Sequence, residues 1–168
     1  MKLRFEISQI EYYASRYSYA IDDSVVENLK EKVQYRGYLT KDELLILAKW
    51  KSPRSARHVL KNSEEYVKEI TGFSFNTKCE RAKIEVLVNL DGVNWPTASV
   101  ILHFFDENPY PILDFRALWS LQVEEPYVYR FELWDQYISY CRDIAKKAGV
   151  SMRTLDRALW QYSKEFQN

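Results

Sequence analysis

Glycine and proline are scarce in this chain, four and five residues of 168, and with so few breakers long loops should be few. Cysteine is scarcer still. Cys79 and Cys141 both fall in amphipathic helical patterns, where a free thiol behaves as a small hydrophobe, so no structural disulfide is expected. His58 and His103 stand alone, without a cysteine or carboxylate at ligand spacing, which argues against a transition-metal site. An excess of either charge is missing as well: Lys plus Arg and Asp plus Glu number 24 each. Phosphate contacts usually announce themselves as a basic excess, so any case for a nucleic-acid partner must rest on local charge. No apolar run approaches bilayer length, and Met1-Lys2-Leu3-Arg4 leads into a mixed polar segment instead of a signal-peptide core. The expectation is a cytoplasmic protein without a membrane partner. Low-complexity tracts, heptad runs and solenoid periods are also missing.

Aromatic residues, by contrast, are plentiful: 13 Tyr, 8 Phe and 5 Trp within 46% hydrophobic residues. That composition argues a packed globule, and the length suits a single helical domain over 1–168. Helical periodicity runs the whole length, so the predicted class is all-α. Ile7, Ile10, Ala14 and Tyr17 mark one helix between Phe5 and Tyr19. Ser24-Val25-Val26-Glu27 and Thr40-Lys41-Asp42-Glu43 each read as a capping box opening the next, the latter reaching Trp50. Ser52 with Pro53 predicts a new helix start, Asn62-Ser63 another, and Gly72 its end; Thr77 is expected to cap the segment after it. Trp134, Tyr137, Ile138, Cys141, Ile144 and Ala145 outline a long amphipathic helix stopped by Gly149, and the last helix starts near Ser151.

The informative stretch is 87–118. Ile84, Val86, Leu87 and Leu90 enter a tight turn at Gly92, and Ala98, Ile101, Leu102 and Phe105 leave it at the spacing of one helical face, so two short helices pack as a hairpin over about 78–105. Gly92 allows a positive φ or a close approach, and Asn94 is the next residue best suited to a left-handed position. A turn of this kind can present backbone N–H groups at a helix N-terminus, where a phosphate binds well.

Leu90-x-Gly92-Val93-x-x-x-Thr97-Ala98, with Asp114 closing Pro111-Ile112-Leu113-Asp114, resembles the helix-hairpin-helix base-excision DNA glycosylases, the superfamily of endonuclease III and the adenine glycosylase. The resemblance implies that Gly92, Val93, Asn94, Trp95 and Thr97 grip double-stranded DNA through backbone amides. It also implies that Asp114, in the loop and helix of about 106–121, is the catalytic carboxylate. Bifunctional members carry a lysine immediately before the hairpin Thr, where this chain has Pro96, so Schiff-base chemistry is not expected. Gly-Val-Gly is replaced by Gly92-Val93-Asn94, and two cysteines cannot supply the four ligands of the cluster some relatives hold. The resemblance further suggests a monovalent cation on the carbonyls of Val88, Leu90 and Val93. No other cofactor is expected, and the protein should be a monomer.

Other readings compete with this one. Gly92 could be plain helix packing, and an Asp before Phe115 is a good N-cap in its own right. Lys49, Lys51, Arg54, Arg57 and Lys61 form the most basic stretch; this is a solvated helix end or, with Lys51 or Arg54 on the DNA backbone or the opposing base, part of an interface. Trp50, Trp95, Tyr110 and Trp119 are candidates to wall in a flipped base, or to belong to the core. Ile144-Ala145-Lys146-Lys147-Ala148-Gly149-Val150-Ser151 resembles a helix-turn-helix, which would turn Arg153 and Arg157 toward DNA, though an ordinary helical corner fits too. Three functions follow: a monofunctional DNA glycosylase (a hydrolase of base excision repair), a non-catalytic DNA-binding protein, and a helical interaction module.

Overall fold

The computed structural model describes residues 1–167, and the described residues are all-helical, with no strand. The α-helices are α1 (Ile10–Ser15), α2 (Ser24–Glu27), α3 (Lys30–Arg36), α4 (Lys41–Lys51), α5 (Glu64–Asn76), α6 (Glu80–Leu87), α7 (Trp95–Phe105), α8 (Phe115–Ser120), α9 (Phe131–Ala148) and α10 (Met152–Phe166), with 3-10 turns at Ile7–Gln9 and Ala56–Lys61. The chain forms two compact units. One is Ala20–Asn108; the other joins Met1–Tyr19 to the chain from Pro109 onward.

The central unit is built around α7. Thr97 to Leu102, Phe104 and Phe105 are all buried, as a helix that is apolar all round must be, and α3, α4 and α6 pack against it. Val33, Leu44, Leu47, Ile84 and Leu87 supply the facing side chains, each wholly buried. Thr40 and Glu43 make both bonds of the expected capping box, and Glu43 is also paired with Arg36. Lys83 of α6 is buried against Asp106 at 2.5 Å and donates to the Ser74 carbonyl at 3.0 Å. This ion pair ties the ends of α5 and α7 to α6.

The other unit packs α10 against α1, α8 and α9. The predicted face of α9 is buried from Trp134 to Ala145, and Ser151 caps α10 through the Thr154 amide. The N-terminal residues lie along α8, with the Lys2 and Arg4 amides bonded to the Leu121 and Ser120 carbonyls at 2.9 and 3.0 Å.

Several boundaries differ from expectation for local reasons. Ser24 does not cap, because Asp22 takes its amide at 2.8 Å and the helix starts from Asp23. Ser52 leaves the helical region before Pro53, at φ −155° and ψ 87°, as the clash with the proline ring favours, and a turn follows before the 3-10 segment at Ala56. Gly72 does not end α5. The helix runs on to Asn76, and an added Cβ at position 72 would make only ordinary contact, 3.7 Å from Tyr38 Cβ. Thr77 bonds the Cys79 amide at 3.2 Å, one step ahead of α6. The first helix is short, confined to Ile10–Ser15 after a 3-10 turn.

Candidate nucleic-acid interface and carboxylate site

The turn between α6 and α7 is closed by two bonds, Leu90 N–H to Leu87 O at 3.1 Å and Val93 N–H to Leu90 O at 3.0 Å. Gly92 sits at φ +79°, and an added Cβ would meet Val59 N at 2.8 Å and His58 at 3.0 Å. The turn is therefore pressed onto the 3-10 segment Ala56–Lys61. Asn62, itself buried, clamps it there: its carboxamide accepts from Asp91 N at 2.9 Å and donates to Asp91 O at 3.0 Å and Val59 O at 2.9 Å. Sequence reasoning treated Asn62 only as part of a helix start.

Asn94 is extended rather than left-handed, at φ −106°. Its carboxamide explains the choice, because it caps α7 by accepting both the amide and the hydroxyl of Thr97 at 3.0 Å. Val93 and Thr97 are consequently engaged inward and buried. The amides of Gly92, Asn94 and Trp95 make no hydrogen bond among the described residues, and Pro96 has none to offer. Three backbone donors thus remain at the N-terminus of an eleven-residue helix. Arg57, His58 and Lys61 lie exposed on the 3-10 segment beneath them, Arg54 is exposed just before it, and Lys51 is half-buried at the end of α4.

Two of the proposed pocket aromatics belong to the core. Trp50 is 3% exposed and meets Phe104 edge-on at 5.3 Å, while Tyr110 is 1% exposed, stacked on Trp134 at 5.9 Å. Neither offers a ring face to a base. Trp95 and Trp119 stay part-exposed; Trp119 carries the Arg4 guanidinium on its ring at 4.3 Å and borders an open cleft of about 720 Å³ with Tyr127 and Phe166. Arg153 does not project outward as a helix-turn-helix would require. It is paired with Asp156 and bonded to the Tyr17 hydroxyl at 3.2 Å, with Arg157 over the same ring.

Asp114 is the N-cap of α8, its Oδ1 accepting the Arg116 amide at 2.9 Å, and it is part-exposed. Burial pushes the Tyr137 hydroxyl well above its ordinary range, and the nearby Cys141, Asp156 and Asp114 add to the effect. Asp114 therefore shares a neighbourhood with a buried tyrosine and a second acid. The sequence signal for Asp156 is an acid between Leu155 and Ala158 on the inward face of a helix.

Val88, Leu90 and Val93 lie in one turn, with the Leu90 carbonyl already accepting the Val93 amide, so a cation there would have to share it. Among the described residues no cluster of His, Cys, Asp or Glu could hold a metal ion, and no helix is long and apolar enough to cross a membrane. Comparison with known proteins adds nothing to this geometry: no family model matches the chain, and neither does any curated protein or solved structure.

Proposed function

We propose that this chain is a monofunctional DNA glycosylase. The observation that carries the reading is the Gly92 turn, with three unbonded amides at a helix N-terminus above a short cationic helix. Amides converging at the positive end of a helix bind a phosphate without reading sequence, and flanking Arg and Lys side chains add the screened attraction typical of backbone contacts. Asp114 supplies the chemistry. Cleavage of an N-glycosidic bond builds positive charge on the sugar, which a fixed carboxylate stabilises while water attacks the anomeric carbon. The C–N bond breaks, the water oxygen joins the sugar, and its proton leaves with the base. Pro96 stands where an amine nucleophile would be needed, so the product is an intact abasic site.

The test is incubation with duplexes carrying uracil, alkylated, oxidised or mismatched bases, followed by alkali. Strand cleavage only after alkali is the expected result. Binding without base release across the panel would leave the hairpin as a non-catalytic DNA contact, and no binding at all would remove both readings.

A further inference from the structure

Tyr110, Pro111, Ile112 and Leu113 are buried in succession without belonging to any helix, and buried irregular backbone must find partners for its polar groups. Here the partners are side chains. Arg142 Nε donates to the Pro109 carbonyl at 3.0 Å, and its guanidinium lies over the Tyr110 ring at 4.7 Å. Ile112 is held at both polar atoms: its amide donates to Asp156 Oδ1 at 3.3 Å, and its carbonyl accepts from the Tyr137 hydroxyl at 2.8 Å. Asp156 is neutralised in turn by Arg153, which the Tyr17 hydroxyl steadies. Tyr137 and Asp156 are both buried on inward faces of α9 and α10, where apolar residues would avoid the cost of desolvating a hydroxyl and a carboxylate.

Two residues beyond Ile112 the chain reaches Asp114. We propose that Tyr137 and Asp156 are positioning residues that pin Ile112 and so aim the Asp114 carboxylate. What the carboxylate is aimed at rests on the glycosylase reading; the pinning does not. The lever is short, since two extended residues span only about 7 Å, and a displacement of about 1 Å at a reacting group costs on the order of 100-fold in rate.

Tyr137→Phe removes the donor to Ile112 while keeping the ring. Asp156→Asn keeps an oxygen for the Ile112 amide but removes the charge facing Arg153. For each variant two quantities are measured: single-turnover base release with the duplex dissociation constant, and solvent exchange of the Arg116 amide, which reports whether Asp114 still holds its place. Release slower by about 10- to 100-fold at unchanged duplex affinity, together with Arg116 exchange faster by about tenfold, is the expected result. Wild-type exchange in both variants overturns the proposal, whatever happens to the rate. Faster Arg116 exchange in a protein that releases no base from any duplex upholds the pinning and sinks the glycosylase reading instead. If Tyr137→Phe loses its helical circular dichroism, Asp156→Asn carries the same two measurements.

Discussion

Gly92→Ala separates two penalties that are usually confounded, because the same unit contains a second glycine at the same backbone angle. Gly92 and Gly37 both sit at φ +79°. An L side chain in that region costs about 1–2 kcal/mol, and both alanine variants incur it. Only at position 92 is there also no room: the new Cβ would lie 2.8 Å from Val59 N and 3.0 Å from His58, whereas at position 37 nothing lies within 4 Å. Backbone atoms cannot rotate away like a side-chain tip, so the turn must lift from the 3-10 segment, an overpacking cost of about 1–3 kcal/mol. Gly37→Ala should therefore lose only the first amount and Gly92→Ala about 2–5 kcal/mol in all. Urea titrations followed by far-ultraviolet circular dichroism measure both, read as midpoints at a common slope. Since the two glycines share a unit, they report the same transition even if the units melt separately. Gly92→Asn is the internal check, because Asn tolerates the left-handed region but keeps the clash. A Gly92→Ala variant no less stable than Gly37→Ala would refute the close approach, and with it the idea that the turn is held rigid for binding.

Further outcomes follow from the buried charges. Lys83→Met should cost about 3–5 kcal/mol by leaving the buried Asp106 carboxylate without its counter-charge, and adding Asp106→Asn, which keeps an oxygen for the two Asn108 donors, should restore part of it; urea midpoints that fall further in the double variant would contradict this. Glu43 is subject to burial, which would raise its pKa, but the bonds from Thr40 and Arg36 outweigh that and hold it below the ordinary carboxylate value. Its contribution is therefore complete above the unfolded value of about 4.3 and is lost as the pH falls through the lower folded one. Glu43→Gln should flatten that part of the acid limb when urea midpoints are measured against pH. Asp114→Asn should keep fold and DNA binding, since Asn caps nearly as well, while base release drops by orders of magnitude; full release by the variant would remove Asp114 from the mechanism.

What the sequence discloses about this molecule is what neighbours settle among themselves. The Thr40–Glu43 box, the Ser63 and Ser151 caps and the Asp114 cap each join residues two or three apart, so the helix starts they govern are readable, as are the buried faces of α7 and α9. Gly72 misleads because a lone glycine inside a helical run costs only about 1 kcal/mol and need not end it. Asn94 misleads because two local options, a left-handed turn and a side-chain cap, suit the same residue, and here it takes the cap, accepting the Thr97 amide and hydroxyl. The two-unit arrangement is harder to foresee, since one unit joins chain segments on either side of the whole of the other. Trp50 and Tyr110 show a further limit: periodicity places a ring on a helix or in a loop, but Phe104 and Trp134 decide whether its face is covered. The residues that shape the Gly92 turn and, separately, the Asp114 segment are hidden for the same reason, Asn62 reaching Asp91 across 29 positions and Asp156 reaching Ile112 across 44. Asp156 breaks a local rule, a carboxylate on the buried face of α10 where the helix pattern asks for an apolar residue, whereas Asn62, between the 3-10 segment and the Ser63 cap, breaks none. A departure of the first kind persists where it gains something elsewhere, and Asp156 gains a fixed stretch of irregular backbone that leads to the Asp114 carboxylate.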